Sequence, residues 1–388
     1  MSAADAIARR IHREGPIPFE AFMNLALYDA EHGFFARGRG AGRAARDFLT
    51  SPEVGPLFGA CVARELDRRW TEFGEPDPFL VVEAGAGVGR LAREVQRAAP
   101  ACGSALRYVL VERSAVLRGH QRELLPLEPA DEALGPFARR MAEDEIVSVP
   151  RAGPVFASLE DLPEMPIDSV LFANELLDNL PFGIGHWDGQ RWHEVRVADQ
   201  GGTFAEVLVP ATADDARALN QVVEGRRLPV GARLPIARGL QDWLDECGSA
   251  LHRGVVVLVD YMAGVEAVIA RGDEWLRTYR EHGRGVDPLL EPGTQDITAD
   301  LVRVQVERAA RAAGFVVVDD RSQSEWLHDL GIDGLVAEGR RQWEEGAHRG
   351  DLNALTGRSR SNEAAALTDP GGLGAHRVVT LATAARDR

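Results

Sequence analysis

The sequence predicts a doubly wound α/β protein: one seven-stranded sheet, preceded by an N-terminal helical region and interrupted by an inserted α+β segment. Short apolar runs separated by stretches of helical periodicity carry the first part of that expectation. Strand alternating with helix implies a parallel sheet covered on both faces. The second observation is a glycine-rich turn directly after the first of these runs, and the third is a hairpin signature in mid-chain that breaks the alternation. On this reading residues 1–75 are helical and residues 76–388 form the core, with the insert at about 183–250 and a long loop excursion at about 263–298.

Ala6, Ile7 and Ile11 recur at helical spacing, and Leu57, Cys61, Leu66 and Trp70 do so again. Between them Gly33 to Arg46 is a polar loop rich in Gly and Arg. Thr50-Ser51-Pro52-Glu53 places an N-cap residue and a Pro at the opening of the second helix. Such a terminus can hold an anion, although most caps merely end a helix. Strands are expected at Phe79 to Glu83, Tyr108 to Glu112, Val155 to Ser158, Ser169 to Ala173, Val255 to Asp260, Phe315 to Asp319 and Arg377 to Leu381. Trp187-Asp188-Gly189-Gln190 reads as a hairpin turn, so the insert is expected to hold two or three antiparallel strands and a helix around Gln241 to Cys247. Trp187, Trp192 and Trp243 would mark either an interface or the insert's own core.

Composition narrows the chemistry. With 388 residues, 45% hydrophobic and 27% charged, the chain is ordinary globular material. Its net charge of -16 argues against an electrostatic grip on nucleic acid or an anionic membrane and favours a neutral or cationic partner. All 44 basic residues are Arg, which excludes lysine Schiff-base chemistry and the lysine of a phosphate-binding P-loop. Cys61, Cys102 and Cys247 are scattered and form neither a metal nor a redox motif, so no metal is expected. The N-terminal residues carry charges where a secretory signal would be apolar, and the longest aliphatic run, Val255 to Val259, is too short to span a bilayer. A cytoplasmic location is expected.

The sharpest motif is Val81-Val82-Glu83-Ala84-Gly85-Ala86-Gly87-Val88-Gly89-Arg90-Leu91, a strand running through G-x-G-x-G into a helix. Glycines let the backbone turn sharply and let a ligand approach with no Cβ in the way, while the helix N-terminus offers free N–H groups. A dinucleotide fingerprint would place its third glycine where Arg90 stands, which counts against a nicotinamide-dependent dehydrogenase. The next strand ends in Glu112, positioned to meet paired ribose hydroxyls. Glu83 would either face the positive end of a ligand or accept N–H groups of the turn.

With these residues in place the sequence resembles, nearly end to end, the MidA family of class I S-adenosylmethionine-dependent methyltransferases. The matching blocks run from Phe22-Met23, Leu27-Tyr28 and Gly33-Phe34-Phe35 through Asp47 to Glu53 and Leu57-Phe58-Gly59 to the glycine loop. They continue with Ala173-Asn174-Glu175-Leu176-Leu177-Asp178-Asn179-Leu180-Pro181, Asp260-Tyr261, Asp287-Pro288-Leu289, Gly293, Gln295 to Ala299, Ser322 to Glu325 and Leu330-Gly331-Ile332. Arg46, Met262 and Asp300 stand where the family has Gly, Gly and His, which leaves substrate preference open.

The resemblance implies a Rossmann-like class I methyltransferase sheet and S-adenosylmethionine as cofactor. It places that cofactor over Gly85, Gly87 and Gly89, with Glu112 at the ribose and Glu83 near the amino acid end. It also implies that the N-terminal region, with Thr50, Ser51 and Glu53, folds over the cofactor as a lid. Asn174 and Glu175 are the expected catalytic pair, Asn174 orienting the reacting group and Glu175 pairing with its positive charge; the bland reading of Glu175 is a cap on a helix beginning at Leu176. Asp178, Asp260 and Tyr261 are secondary candidates, and His282 and Asp296 weaker ones. The methyl acceptor is expected to be a protein side chain, with arginine favoured by the family. A small molecule or peptide is the alternative, and an assembly factor that binds the cofactor without catalysis is the alternative from another class. Nothing in the sequence gives the oligomeric state.

Overall fold

The computed structural model describes residues 2–38, 50–134, 152–280, 283–347 and 352–384. Arg46, the block Asp47 to Leu49 and His282 lie outside the described residues. All seven expected strands form: β1 (Phe79–Ala84), β2 (Leu106–Val111), β4 (Val155–Leu159), β5 (Met165–Asn174), β6 (Leu251–Asp260), β7 (Phe315–Ser322) and β8 (Arg377–Thr383). A two-residue strand, β3 (Leu127–Glu128), too short to leave a periodic signal, makes an eighth in the same sheet among the described residues. The order across the sheet is β7-β8-β6-β5-β1-β2-β4-β3.

The strands β1 to β6 run parallel to one another, while β8 is antiparallel to both β6 and β7. All six residues of β1, and the stretch Gly254–Asp260 of β6, are buried, as expected of strands covered on both faces. The chain leaves β1 towards β2 on one side and places β5 on the other, so the order reverses at β1/β5. Such a switch point opens a crevice at the carboxyl ends of the strands. Register puts Ala84 beside Ala173, and Asn174 beside Val259, so these three strands end at nearly one level.

Contacts divide the chain into two units, and they do so differently from the expected boundary at residue 75. One unit takes in Leu49–Glu175, Gly248–Asp260 and Phe315–Arg388, hence the sheet and the helix Pro56–Glu72. The other takes in the described parts of Met1–Phe48, with Leu176–Cys247 and Tyr261–Gly314. The N-terminal helices Ala3–Glu14 and Phe19–Tyr28 therefore share a core with the insert: Ile7, Phe19, Phe22 and Met23 pack in one cluster with Phe182, Ile184, Val195 and Leu234. The intervening Ile17–Pro18 adds an edge strand to the insert's sheet, Ile17 opposite Val197. Helical spacing shows that a helix has an apolar face but not what that face meets.

The insert's hairpin forms as expected, Trp187 opposite Trp192, with Gly189 at φ 102° and Asp188 Oδ1 accepting from the N–H groups of Gln190 and Arg191. Trp192 is buried in this unit's core and Trp187 packs partly buried against the same cluster. The excursion holds more strand than its sequence suggests, with Leu276–Arg280 pairing with both Gly283–Arg284 and Asp296–Ala299. Buried Gln295 pins the loop between them, donating to the carbonyls of Asp287 and Leu290 and accepting from Val286 N–H.

Candidate functional site

The glycine loop occupies the end of β1 at the switch point. Gly85, Gly87 and Gly89 all have left-handed backbones, φ 69°, 53° and 82°, a region that costs an L side chain strain. Their tasks differ. A Cβ on Gly87 would meet no atom within 4 Å, whereas one on Gly89 would press on Leu110 Cδ2 at 2.9 Å and Leu125 Cδ1 at 3.3 Å. Gly89 thus lets the helix Arg90–Ala98, which it precedes, sit close against the sheet, and Gly87 leaves an open approach to the loop.

Glu112 follows β2 and faces the loop. Its Oε2 accepts from Gly87 N–H at 3.0 Å and its Oε1 from Ser114 N–H at 2.8 Å, and burial pushes its carboxyl above the usual carboxylate range. Each carboxylate oxygen has two lone pairs, so Glu112 can brace the loop and still accept from a diol. Glu83 is buried beneath the loop, with Tyr108 donating its hydroxyl to Oε2 at 2.9 Å. Burial pushes its carboxyl up to about 8, against the lowering effect of Tyr108 and of the Ala92 N–H on the following helix. Of the two sequence readings, the backbone one is met only in a modified form, since the N–H that Glu83 accepts comes from Ala92 in the helix after the turn.

Sequence reasoning missed Gln121, on the helix Ala115–Leu124, and Ser158, in β4. Gln121 is fully buried and donates through Nε2 to the Gly87 carbonyl at 2.7 Å, while Ser158 Oγ donates to its Oε1 at 2.6 Å. The one sequence signal was a glutamine on the apolar side of an amphipathic helix, four residues after Leu117.

Asn174 ends β5, and Glu175 follows with φ 50°, a left-handed backbone at a non-glycine residue. Its N–H donates to the Val259 carbonyl at 2.8 Å, and its Oε1 accepts from Ser51 N–H at 3.0 Å and from Asn174 Nδ2 at 3.1 Å. Asn174 Oδ1 is buried without a hydrogen-bond partner. The expected helix at Leu176 is only the 3-10 turn Leu177–Asn179, so the bland cap role gives way to a tie between Glu175 and a segment 124 residues earlier.

That segment also departs from expectation: Thr50 opens a separate four-residue helix, Ser51–Val54, and the long helix starts at Pro56. Thr50 and Glu53 close a capping box around it, Glu53 Oε2 accepting from Thr50 N–H at 3.2 Å. Ser51 Oγ bonds Gln323 Oε1 at 2.9 Å, and both are buried. Asp260 ends β6 fully buried.

In the other unit Asp178 is buried and its carboxyl is pushed up to about 7 by burial, against the nearby Arg277 guanidinium. Arg277 pairs with Asp300 Oδ1 at 2.6 Å and lies over the Tyr261 ring, 5.5 Å from its centroid. Asp300 also pairs with Arg271. Met262 sits in the short strand Met262–Ala263, paired with Leu301–Val302. Asp296 accepts from Asn179 Nδ2 at 2.9 Å. Among the described residues no group of three His, Cys, Asp or Glu could hold a metal, and no helix is long and apolar enough to cross a membrane.

The arrangement at β1 and β2 suits a nucleoside carrying a diol: a loop with open access over Gly87, and a carboxylate fixed beside it with lone pairs to spare. The curated relatives that the chain resembles include the mitochondrial protein arginine methyltransferase NDUFAF7 of Homo sapiens, 27% identical over 340 residues, covering 84% of this chain and 72% of the relative. The Drosophila melanogaster homolog is 26% identical over 336 residues, covering 81% and 71%. A crystal structure of a likely methyl transferase from Burkholderia thailandensis, bound to S-adenosyl-homocysteine, shares 25% identity with a TM-score of 0.77, covering 98% of this chain and 91% of that one. A family model described as putative S-adenosyl-L-methionine-dependent methyltransferase matches residues 61–319, so the doubly wound sheet, the glycine loop and Glu112 are parts of a chain that belongs to this family of S-adenosylmethionine-dependent methyltransferases.

Proposed function

We propose that the methyl acceptor is an arginine side chain of a protein, engaged by Asn174 and Glu175, with Gly85, Gly87, Gly89, Glu83 and Glu112 holding the cofactor. The observation that carries this reading is the left-handed backbone of Glu175 at the end of β5. Strain of this kind costs about 1–3 kcal/mol and persists only where the surroundings hold it. Here the Val259 carbonyl and the Ser51 N–H hold it, fixing a carboxylate at the switch point of the sheet.

Bound at the glycine loop, S-adenosylmethionine supplies an electrophilic methyl group and leaves as a neutral thioether. A guanidinium keeps its proton far above neutral pH, so the chain must favour one nitrogen as nucleophile and take charge as the proton departs. Glu175 offers a carboxylate matched to the guanidinium fork. Asn174 Oδ1, buried and unpartnered, offers an acceptor for a further N–H. Thr50 and Glu53, through their capping box, aim the Ser51 N–H at Glu175; contact of these three with the cofactor is part of the same proposal. The net charge of -16 suits a basic protein acceptor, and the relatives named as protein arginine methyltransferases support the choice by analogy.

Labelled methyl transfer into a cell lysate, followed by mass spectrometry of the labelled species, tests the acceptor. Label on protein arginine is the expected result; label confined to small molecules selects the alternative acceptor. With a verified substrate, Glu175→Gln is expected to lower turnover by about 100-fold or more while S-adenosylhomocysteine still binds. Unchanged turnover would remove Glu175 from the mechanism.

A further inference from the structure

We infer that Gln121, oriented by Ser158, is a positioning residue that sets the Gly87 peptide for S-adenosylmethionine; this rests on the assignment of the cofactor to the glycine loop. Gly87 is gripped at both ends: its N–H by Glu112 Oε2 at 3.0 Å and its carbonyl by Gln121 Nε2 at 2.7 Å. The grip has a fixed sense. Gly87 offers Gln121 only a carbonyl, so the amide must present its NH2 group there and its oxygen to the other side. Ser158 Oγ meets that oxygen at 2.6 Å, where only the hydroxyl can donate. A serine in β4 thereby selects the amide orientation that the loop needs.

The path continues through Glu112, whose second oxygen takes Ser114 N–H at 2.8 Å, so a single run of hydrogen bonds joins β4, the helix Ala115–Leu124, the glycine loop and the carboxylate after β2. Gln121 also lies close to the last glycine of the loop, since its Cγ would be 3.4 Å from a Cβ added at Gly89. Gly87 itself has φ 53° and nothing within 4 Å of its Cβ position, so no packing on that side holds its peptide plane. Hydrogen bonds must supply the constraint. A loop held this way in advance loses little freedom when the ligand arrives, and such preorganisation is returned as affinity.

Calorimetric titration of the full-length protein with S-adenosylhomocysteine tests this without relying on turnover. Gln121→Leu is expected to weaken binding about 10-fold at every pH. Gln121→Glu separates positioning from bulk packing. Protonated, its carboxyl donates to the Gly87 carbonyl and accepts from Ser158, so binding at pH 5.5 should stay within about 3-fold of wild type at that pH. Ionised, it turns an oxygen towards the Gly87 carbonyl, and at pH 8.5 the loss should reach about 10-fold or more. Ser158→Ala is expected to cost about 3-fold alone and nothing further in the Gln121→Leu background.

A dissociation constant within 2-fold of wild type for both Gln121 variants at both pH values would overturn the inference. So would a Gln121→Glu loss that does not change with pH, the behaviour of a residue that only packs. Should Gln121→Leu not fold, Gln121→Glu read at the two pH values decides the matter alone. Glu112→Ala and Gly87→Val serve as controls for the assignment of the loop. If both bind as wild type does, that assignment fails and takes the inference with it; if both lose binding while the Gln121 variants keep it, only the inference fails.

Discussion

Glu83 shows what a single buried carboxyl does to this protein. It lies beneath the loop with one hydroxyl and one backbone N–H as donors, and burial pushes it up to about 8 from an ordinary value of 4.5. Below about pH 4.5 it is protonated folded or unfolded, and the proton bound in the native state contributes its full stability. As pH rises towards 8 the unfolded chain gives up the proton first, and the contribution is lost. Stability should therefore decline between about pH 5 and 8, and Glu83→Gln should flatten that decline; urea unfolding across the interval measures it. Tyr108→Phe removes the hydroxyl that Glu83 accepts from and should cost about 1–3 kcal/mol, read at neutral pH by the same titration. Gly87 and Gly89 of the loop should separate by the same logic. Gly89→Ala meets Leu110 as well as an unfavourable φ, so it should lower stability by about 1–3 kcal/mol, whereas Gly87→Ala meets only the φ and should show mainly in cofactor affinity.

Among the elements, the helix Pro56–Glu72 shows how far its stability depends on distant chain. It begins after Gly55, whose backbone offers no side-chain cap, and Leu57 N–H is taken instead by Glu363 Oε2 at 3.0 Å. Glu363 lies on the helix Leu352–Thr368, is buried, and is held in turn by Ser359 Oγ. A carboxylate there satisfies an orphan donor and complements the positive end of the helix. Glu363→Ala should cost about 1–2 kcal/mol, visible as a lowered melting temperature. The interior strand β6 carries a sharper constraint. Gly254 has φ 140° and a Cβ there would stand 2.0 Å from the Ser169 carbonyl oxygen of β5, next to a shift of register between Leu251 and Arg253. Gly254→Ala is expected to be among the most destabilising single changes, on the order of 3 kcal/mol or more in denaturant titration.

At the scale of the molecule, the described residues form two units built from interleaved segments, each with a hydrophobic core. The unit without the central sheet is drawn from three stretches, and its N-terminal stretch is bound in by more than packing. Ile17 and Pro18 pair with Val197 and Arg196, and Glu20 shares Arg238 with Glu194 and Asp215. Deleting residues 1–48 should therefore expose the insert's core and give an aggregated product, measured by size-exclusion chromatography. A monomeric, folded deletion variant would show that the insert does not need the N-terminal helices, as a detachable helical cap would allow.

The sequence by itself determined the seven long strands, the glycine loop, the acidic residue after β2 and the Asn174-Glu175 pair at the end of β5. Each is written locally, as an apolar run, a glycine spacing or a carboxylate where a run stops, and local signals survive without knowledge of the partner. Only the tertiary structure decided that Ser51 N–H meets the Glu175 carboxylate, that Gln121 and Ser158 hold Gly87, and that the first two helices belong with the insert. Those contacts join residues 34 to 306 positions apart when the Glu363 cap is counted with them. A polar side chain on a helix reads the same in sequence whether it faces water or a buried carbonyl, because what it bonds to is set by how the elements pack.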